Sequence, residues 1–109
     1  MKLVIIESPY AGDIQKNVEY ARAAIKDSLN RDEAPIASHL LYTQPGILDD
    51  GKAEERAKGI AAGHAWMSSA DKVAFYVDHG ISPGMLQAVE KAKRLGIAVE
   101  YRRIYKEQT

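Results

Sequence analysis

The sequence predicts an α/β fold built on a four-stranded parallel sheet, and three observations predict it. Short apolar runs, of which Val73-Ala74-Phe75-Tyr76-Val77 is the strongest, are continuous rather than alternating, as suits strands covered on both faces. Between them lie stretches whose apolar residues recur at steps of three and four, the period of an amphipathic helix. Strands that alternate with helices return by right-handed crossovers and lie parallel. The chain of 109 residues is expected to form one domain with a real core, since 46% of it is apolar and 28% charged.

Leu3 to Ile6 reads as the first strand, ending at the turn-rich Glu7-Ser8-Pro9-Tyr10-Ala11-Gly12. Asp13 then caps a helix whose stripe is Ile14, Val18, Ala21, Ile25 and Leu29, and which stops near Asn30. Pro35 to Ser38 is the second strand, held mainly because the helix needs a strand to return to. His39 to Gly46 mixes apolar and turn residues and is expected to be an irregular loop. Asp49 or Asp50 starts the second helix, with Glu54 and Glu55 near its positive end and Ala57, Ile60, Ala61, His64 and Met67 as its buried stripe. On that stripe His64 reads as a core or boundary residue rather than a ligand. Val73 to Val77 is the third strand. The third helix turns Met85, Leu86, Val89, Ala92 and Leu95 inward and ends at Gly96. Ile97, Val99 and Tyr101 alternate with Ala98, Glu100 and Arg102, which fits an edge strand. The tail from Tyr105 to Thr109 is expected to fray.

The strand order expected for this β-α-β-α-β-α-β pattern is 2-1-3-4, the flavodoxin-like doubly wound order cut short, in a three-layer sandwich. Its switch point lies between the exits of strands 1 and 3, where ligands bind in such sheets. The second exit, Tyr76-Val77-Asp78-His79-Gly80-Ile81-Ser82-Pro83-Gly84, runs from strand to acid to glycine break to helix start. Ser82 suits an N-cap and Pro83 the first helical position, and N–H groups behind them favour anions. The order also places helices 2 and 3 on one face and helix 1 alone on the other. The sheet left bare over strands 3 and 4 is then expected to be buried by another subunit, in a dimer or a multiple of dimers.

The chemistry expected at the crevice comes from Glu7, Ser8, Tyr10, Gly12, Asp13, His39, Tyr42, Asp78, His79, Ser82, Gly84 and Met85. Tyr10 can stack on a planar ring, Asp78 can accept from sugar hydroxyls, and the Ser82 helix start can hold a phosphate or carboxylate. This set describes a nucleoside- or nucleotide-binding pocket better than a peptide groove. Equal counts of 15 acidic and 15 basic residues argue against a nucleic-acid backbone binder. With no cysteine there is no disulfide, thiolate metal site or cysteine nucleophile. His39, His64 and His79 lack metal-ligand spacing, so no metal is expected, and no cofactor motif is present: neither G-x-G-x-x-G nor a Walker lysine occurs. There is no G-x-S-x-G elbow for serine hydrolysis. The N-terminal apolar run is too short for a signal peptide or a membrane span, which implies a cytoplasmic protein.

Three segments carry a family resemblance over nearly the whole chain: Ile5-Ile6-Glu7-Ser8-Pro9-Tyr10-Ala11-Gly12-Asp13, Ser69-Ala70-Asp71-Lys72-Val73-Ala74-Phe75-Tyr76-Val77-Asp78, and the Gly-led helix ending Ala92-Lys93-Arg94-Leu95-Gly96-Ile97-Ala98-Val99. In their order and spacing they resemble the nucleoside 2-deoxyribosyltransferase superfamily and the small, often phage-encoded domains allied to it. The resemblance implies a nucleoside site with Tyr10 as its aromatic residue and Asp78 as an acid associated with the substrate. It also places the family's glutamate nucleophile at Ala88, counted forward from Gly84 or back from Gly96. Glu90 lies about 200° round the helix from Ala88 at roughly 100° per residue, and alanine forms no glycosyl-enzyme intermediate. Two readings stand. The first is a protein that holds a nucleoside- or nucleotide-derived molecule without cleaving it, as a phage protein sequestering a cyclic ADP-ribose-type or cyclic-nucleotide immune signal would. The second is an N-glycosidase or deoxyribosyltransferase using Glu7, Asp78 or Glu90 as a non-standard carboxylate.

Overall fold

A computed structural model describes residues 1–105. Strand β1 (Leu3–Glu7) leads to helix α1 (Ile14–Asn30) and strand β2 (Ala34–Ile36). A single helical turn α2 (Ser38–Leu41) and helix α3 (Ala53–Ala65) follow, then a 3-10 turn at Met67–Ser69 and strand β3 (Lys72–Tyr76). Helix α4 (Pro83–Leu95) and strand β4 (Ala98–Arg102) complete the order. All strand pairs are parallel and the sheet order is β2-β1-β3-β4, as the sequence predicts. Pro35 is tolerated because β2 is an edge.

The caps follow side-chain chemistry. Asp13 accepts the Lys16 N–H at 3.2 Å to start α1, and Ser82 accepts the Met85 N–H at 3.2 Å to start α4. Gly96 closes α4 at φ 71°, a left-handed conformation that a side chain would strain. Helix α3 departs from expectation. It begins at Ala53 without a side-chain cap, because Asp49 instead accepts the Gly51 N–H within the preceding turn.

Two cores sandwich the sheet. On one face Ile5, Val73 and Phe75 meet Met85, Ala88, Val89 and Ala92 of α4 and Met67 of the 3-10 turn. On the other, Val4, Ile6, Ala74 and Tyr76 meet Tyr20 and Ala24 of α1. The helical stripes are rotated from the expected ones. In α1 the buried positions are Asn17, Tyr20, Ala21, Ala24 and Ser28, while Ile14 and Leu29 are exposed. In α4 Ala88 takes the inward place expected of Leu86, and Leu95 is also exposed. Small residues face the sheet in both helices, because the helix then lies closer to the strands and the large side chains splay to the sides.

The face of the sheet beyond α1 is not bare apolar surface. It is filled by charge. Arg102, 4% exposed, sends both terminal nitrogens to Glu33, at 2.8 and 2.7 Å. It also donates to Tyr76 Oη at 3.1 Å and contacts Glu100. Lys72 joins at 3.2 Å from Glu33, and Ser28 donates to the same carboxylate at 2.7 Å. A positive φ at Asp32 (61°) turns the chain after α1, immediately before Glu33. Strand β4 keeps the expected alternation at Ala98 and Val99 but departs from it at its end, where Arg102 is buried and Tyr101 is half exposed. The hydrogen bonds from Arg102, acting against burial and joined by those from Ser28 and Lys72, hold the Glu33 carboxyl down at about 2.

The tail is anchored as far as it is described. The Asp78 carboxylate accepts the N–H groups of Ile104 and Tyr105 at 2.8 and 3.2 Å. Residues 106–109, expected to fray, lie outside the described part.

Truncating Arg102→Ala leaves Glu33 buried without its main partner and is expected to cost about 3–5 kcal/mol by urea unfolding. The Glu33 pKa is lower folded than its usual 4.5. Its contribution is therefore present above about pH 4.5 and is lost as pH falls toward about 2. The Glu33→Gln variant should lack that acid-dependent component in a pH series of melting temperatures.

Candidate functional site

Strand alternation decides which exit residues meet. Glu7 follows Ile5 on the α4 side of the sheet and stands opposite Phe75 in register. Asp78 follows Tyr76 on the α1 side. The cleft of about 230 Å³ opens on the α4 side, at the C-terminal ends of β1 and β3. Its floor is Glu7 and Ser8, one wall is Tyr10 with the α4 start at Ser82, Pro83, Gly84 and Met85, and its cover is chain 38–64. That cover contributes Ser38, His39, Tyr42, Asp50, Glu55, Arg56 and His64.

Of the expected site residues, Glu7, Ser8, Tyr10, His39, Tyr42, Ser82, Gly84 and Met85 line this cleft, and Gly12, Asp13, Asp78, His79 and Glu90 do not. Each of the latter is occupied or turned elsewhere. Asp13 is the α1 cap, and Gly12 supplies the positive φ of 101° before it. Asp78 accepts the Tyr20 hydroxyl at 2.5 Å besides the two tail N–H groups. Burial pushes its pKa up, but the hydrogen bonds from Tyr20, Ile104 and Tyr105 outweigh this and leave it below the usual value. His79 packs on the Tyr20 and Tyr105 rings at centroid distances of 4.4 and 6.0 Å. Glu90 is exposed on the far side of α4. Ala88, 1% exposed, points into the core beside α4 rather than into the cleft.

Where the floor meets the cover, the titratable groups are neutral. Burial pushes the Glu7 carboxyl up to about 8, so it is protonated at neutral pH and can donate a hydrogen bond. Burial pushes His39 down to about 4, leaving a neutral imidazole. Its Nε2 lies 2.6 Å from Ser8 Oγ, while its buried Nδ1 has no partner among the described residues. Without a carboxylate on Nδ1 the pair lacks the third member of a hydrolytic triad. At the α4 start, anion-binding capacity is small. Pro83 has no N–H, Met85 N–H is capped by Ser82, and Ser82 N–H is turned to Met85 Sδ at 3.4 Å. Gly84 N–H remains. The charges around the cleft are Asp50, Glu55 and Arg56. Glu55 is itself engaged, accepting the Asp49 N–H at 3.1 Å. Tyr42 fixes its hydroxyl by accepting from Trp66 Nε1–H at 2.9 Å.

Sequence reasoning placed His39 and Tyr42 of the cover at the crevice but missed the rest of it, including His64, which was read as a core or boundary residue and lines the cleft. The expected irregular loop is partly helical at α2, which places His39 over Ser8. The available signal was the glycine pair Gly59 and Gly63, spaced one turn apart on α3. A Cβ at Gly63 would lie 2.4 Å from Ser38 Oγ, and one at Gly59 would lie 3.3 Å from Leu48 Cδ1. These glycines let α3 approach α2 and the loop before it. Among the described residues no group of three or more His, Asp or Glu could hold a metal ion, and no helix is long and apolar enough to cross a membrane.

Comparison with known proteins matches the same architecture. The model of a domain of unknown function, DUF7768, matches residues 2–102. No curated protein matches. Among solved structures, a 2-deoxyribosyltransferase from the psychrotolerant bacterium Bacillus psychrosaccharolyticus superposes with a TM-score of 0.64 at 16% identity. The match covers 98% of this chain and 76% of that one, and it gives this chain a nucleoside 2-deoxyribosyltransferase-like fold.

Two variants check this geometry. Gly63→Ala should lower stability by about 1–3 kcal/mol through overpacking, and adding Ser38→Gly should recover part of the loss in the same denaturant titration. Glu7 has a folded pKa near 8 against 4.5 for the free side chain. Its favourable contribution is therefore complete below about pH 4.5 and is lost as pH rises through about 8. The Glu7→Gln variant should outlast the parent chain in melting experiments on the alkaline side and show a flatter pH profile.

Proposed function

This chain belongs to the DUF7768 family, a domain of unknown function, and from that premise and the chemistry of the cleft we propose that it binds a nucleoside- or nucleotide-derived small molecule and holds it without cleaving it. The observation that carries this reading is a cleft at the sheet's switch point whose α4 wall, Ser82 to Met85, carries no carboxylate and whose floor carboxyl, Glu7, is protonated by burial; Ala88, where the resemblance expects a nucleophile, lies in the core beside it. Tyr10 and Tyr42 offer ring faces and hydroxyls for a base. The protonated Glu7 and the neutral Ser8–His39 pair offer donors and acceptors for base or sugar edges. The likeness to a 2-deoxyribosyltransferase supports a ligand of that class. A protonated Glu7 is a poor nucleophile at neutral pH, which supports retention over glycosyl transfer.

A second reading rests on the same Glu7. A carboxylic acid with a pKa near 8 can protonate a departing nucleobase as a general acid. An N-glycosidase reaction would then need Asp50 or Glu55 to stabilise the sugar cation or activate water from the opposite wall of the cleft.

A thermal-shift series with nucleosides, nucleotides and cyclic nucleotides, followed by denaturation and mass spectrometry of each stabilising compound, separates the two. Intact ligand supports retention, and free base with sugar supports the glycosidase. Tyr10→Ala should weaken the stabilising ligand about tenfold or more by calorimetry. Asp78→Ala, which removes the tail anchor outside the cleft, should lower the melting temperature while leaving the affinity of the folded protein near its starting value. Equal loss of affinity in both variants would place the site elsewhere.

A further inference from the structure

Helix α3 turns its apolar stripe to solvent. The residues expected to be buried, Ala57, Ile60 and Ala61, are exposed, because the glycine face has taken the inward position. Beside the stripe a groove of about 460 Å³ separates α3 from α4, lined by Ala61, His64, Ala65, Ser68, Lys91 and Leu95. Leu95, one of its α4 lining residues, is 40% exposed. The α4 side of the groove is basic. After burial, Lys91 and Arg94 are the charges that lower the His64 pKa. Among the described residues no carboxylate is within ion-pairing distance of Lys91 or Arg94, and Glu54, at the start of α3, is equally unpaired.

We propose that this face takes a second copy of the chain, through an antiparallel contact of α3 with α3 centred on Ala61. The surface is complementary to itself under a two-fold axis. An axis at Ala61 sets Ala57 beside the partner's Ala65, so that small side chains line the seam, with the exposed Lys58 flanking it about 60° round the helix from Ala61. Seven residues at about 100° each return Glu54 to within about 20° of Ala61, on the same face. The same axis carries Glu54 to the level of the partner's Ser68, at the end of the groove bordered by Lys91 and Leu95. The unpaired acid of each copy thus meets the unpaired cations of the other, twice by symmetry, and a one-sided partner would satisfy only half of this arrangement. His64 lines both the groove and the ligand cleft, so the second copy would also close the outer wall of that cleft.

The contact is independent of any ligand and is tested without one, by sedimentation velocity on the full chain. The expected result is a dimer at about 100 μM, with Ala61→Arg raising its dissociation constant about tenfold or more while circular dichroism stays unchanged. Glu54→Lys should weaken the dimer in the same way, and Glu54→Lys combined with Lys91→Glu in one chain should restore it. A monomeric parent chain, or a dimer that Ala61→Arg leaves intact, would overturn the proposal. A charge-exchanged double variant that stays dissociated would overturn the antiparallel register.

Discussion

The ion pair between Arg102 and Glu33 is what allows a single helix to suffice on one face of this sheet. Helix α1 covers β1, β2 and part of β3, and the remaining surface would be open to water. Arg102 reaches across it from the end of β4 to the carboxylate that precedes β2, joining the two edge strands. A buried guanidinium is tolerable only when its donors are satisfied, and here Glu33, Glu100 and the Tyr76 hydroxyl satisfy them. The pair is thus a device for closing a small α/β sandwich with charge where a larger protein would use another helix.

Closing the α1 face leaves the chemistry to the other one. Side chains alternate along β1 and β3, so neighbouring polar residues at the strand exits diverge. Glu7 enters the cleft, whereas Asp78 joins Tyr20 and the tail on the α1 side. Burial then acts in opposite directions on Glu7 of the floor and His39 of the cover and neutralises both, raising Glu7 and lowering His39. A cleft with a protonated acid, a neutral imidazole and one free helix-start N–H presents hydrogen-bonding groups rather than charge at its base.

Helix α3 links this cleft to the outside. Gly63 fits against Ser38 of α2 and Gly59 against Leu48 of the loop between α2 and α3, and Ala57 and Ala61 consequently look outward. One helix therefore shapes the cover of the cleft on one side and, on the other, the exposed face proposed to take a second copy. The same rotation explains why its apolar periodicity misleads: the stripe is amphipathic in the expected sense, but backbone closeness at Gly59 and Gly63 decides which side turns inward.

The sequence by itself determined the sheet. Its apolar runs, the Asp13 and Ser82 caps and the Gly96 stop are local features, and local chemistry sets strand and helix boundaries and, through crossover handedness, the β2-β1-β3-β4 order. Ser8, Tyr10 and the α4 start were legible for the same reason, because they sit at the switch point that this order creates. Tertiary structure decided the rest. Whether Asp78 or Glu7 faces the cleft depends on strand register and on the tail that claims Asp78. Whether Arg102 or Tyr101 is buried depends on Glu33, which is 69 residues away in the chain. The cover of the cleft depends on how closely α3 can approach Ser38. Each of these is a contact between distant segments, and no periodicity within one segment encodes it.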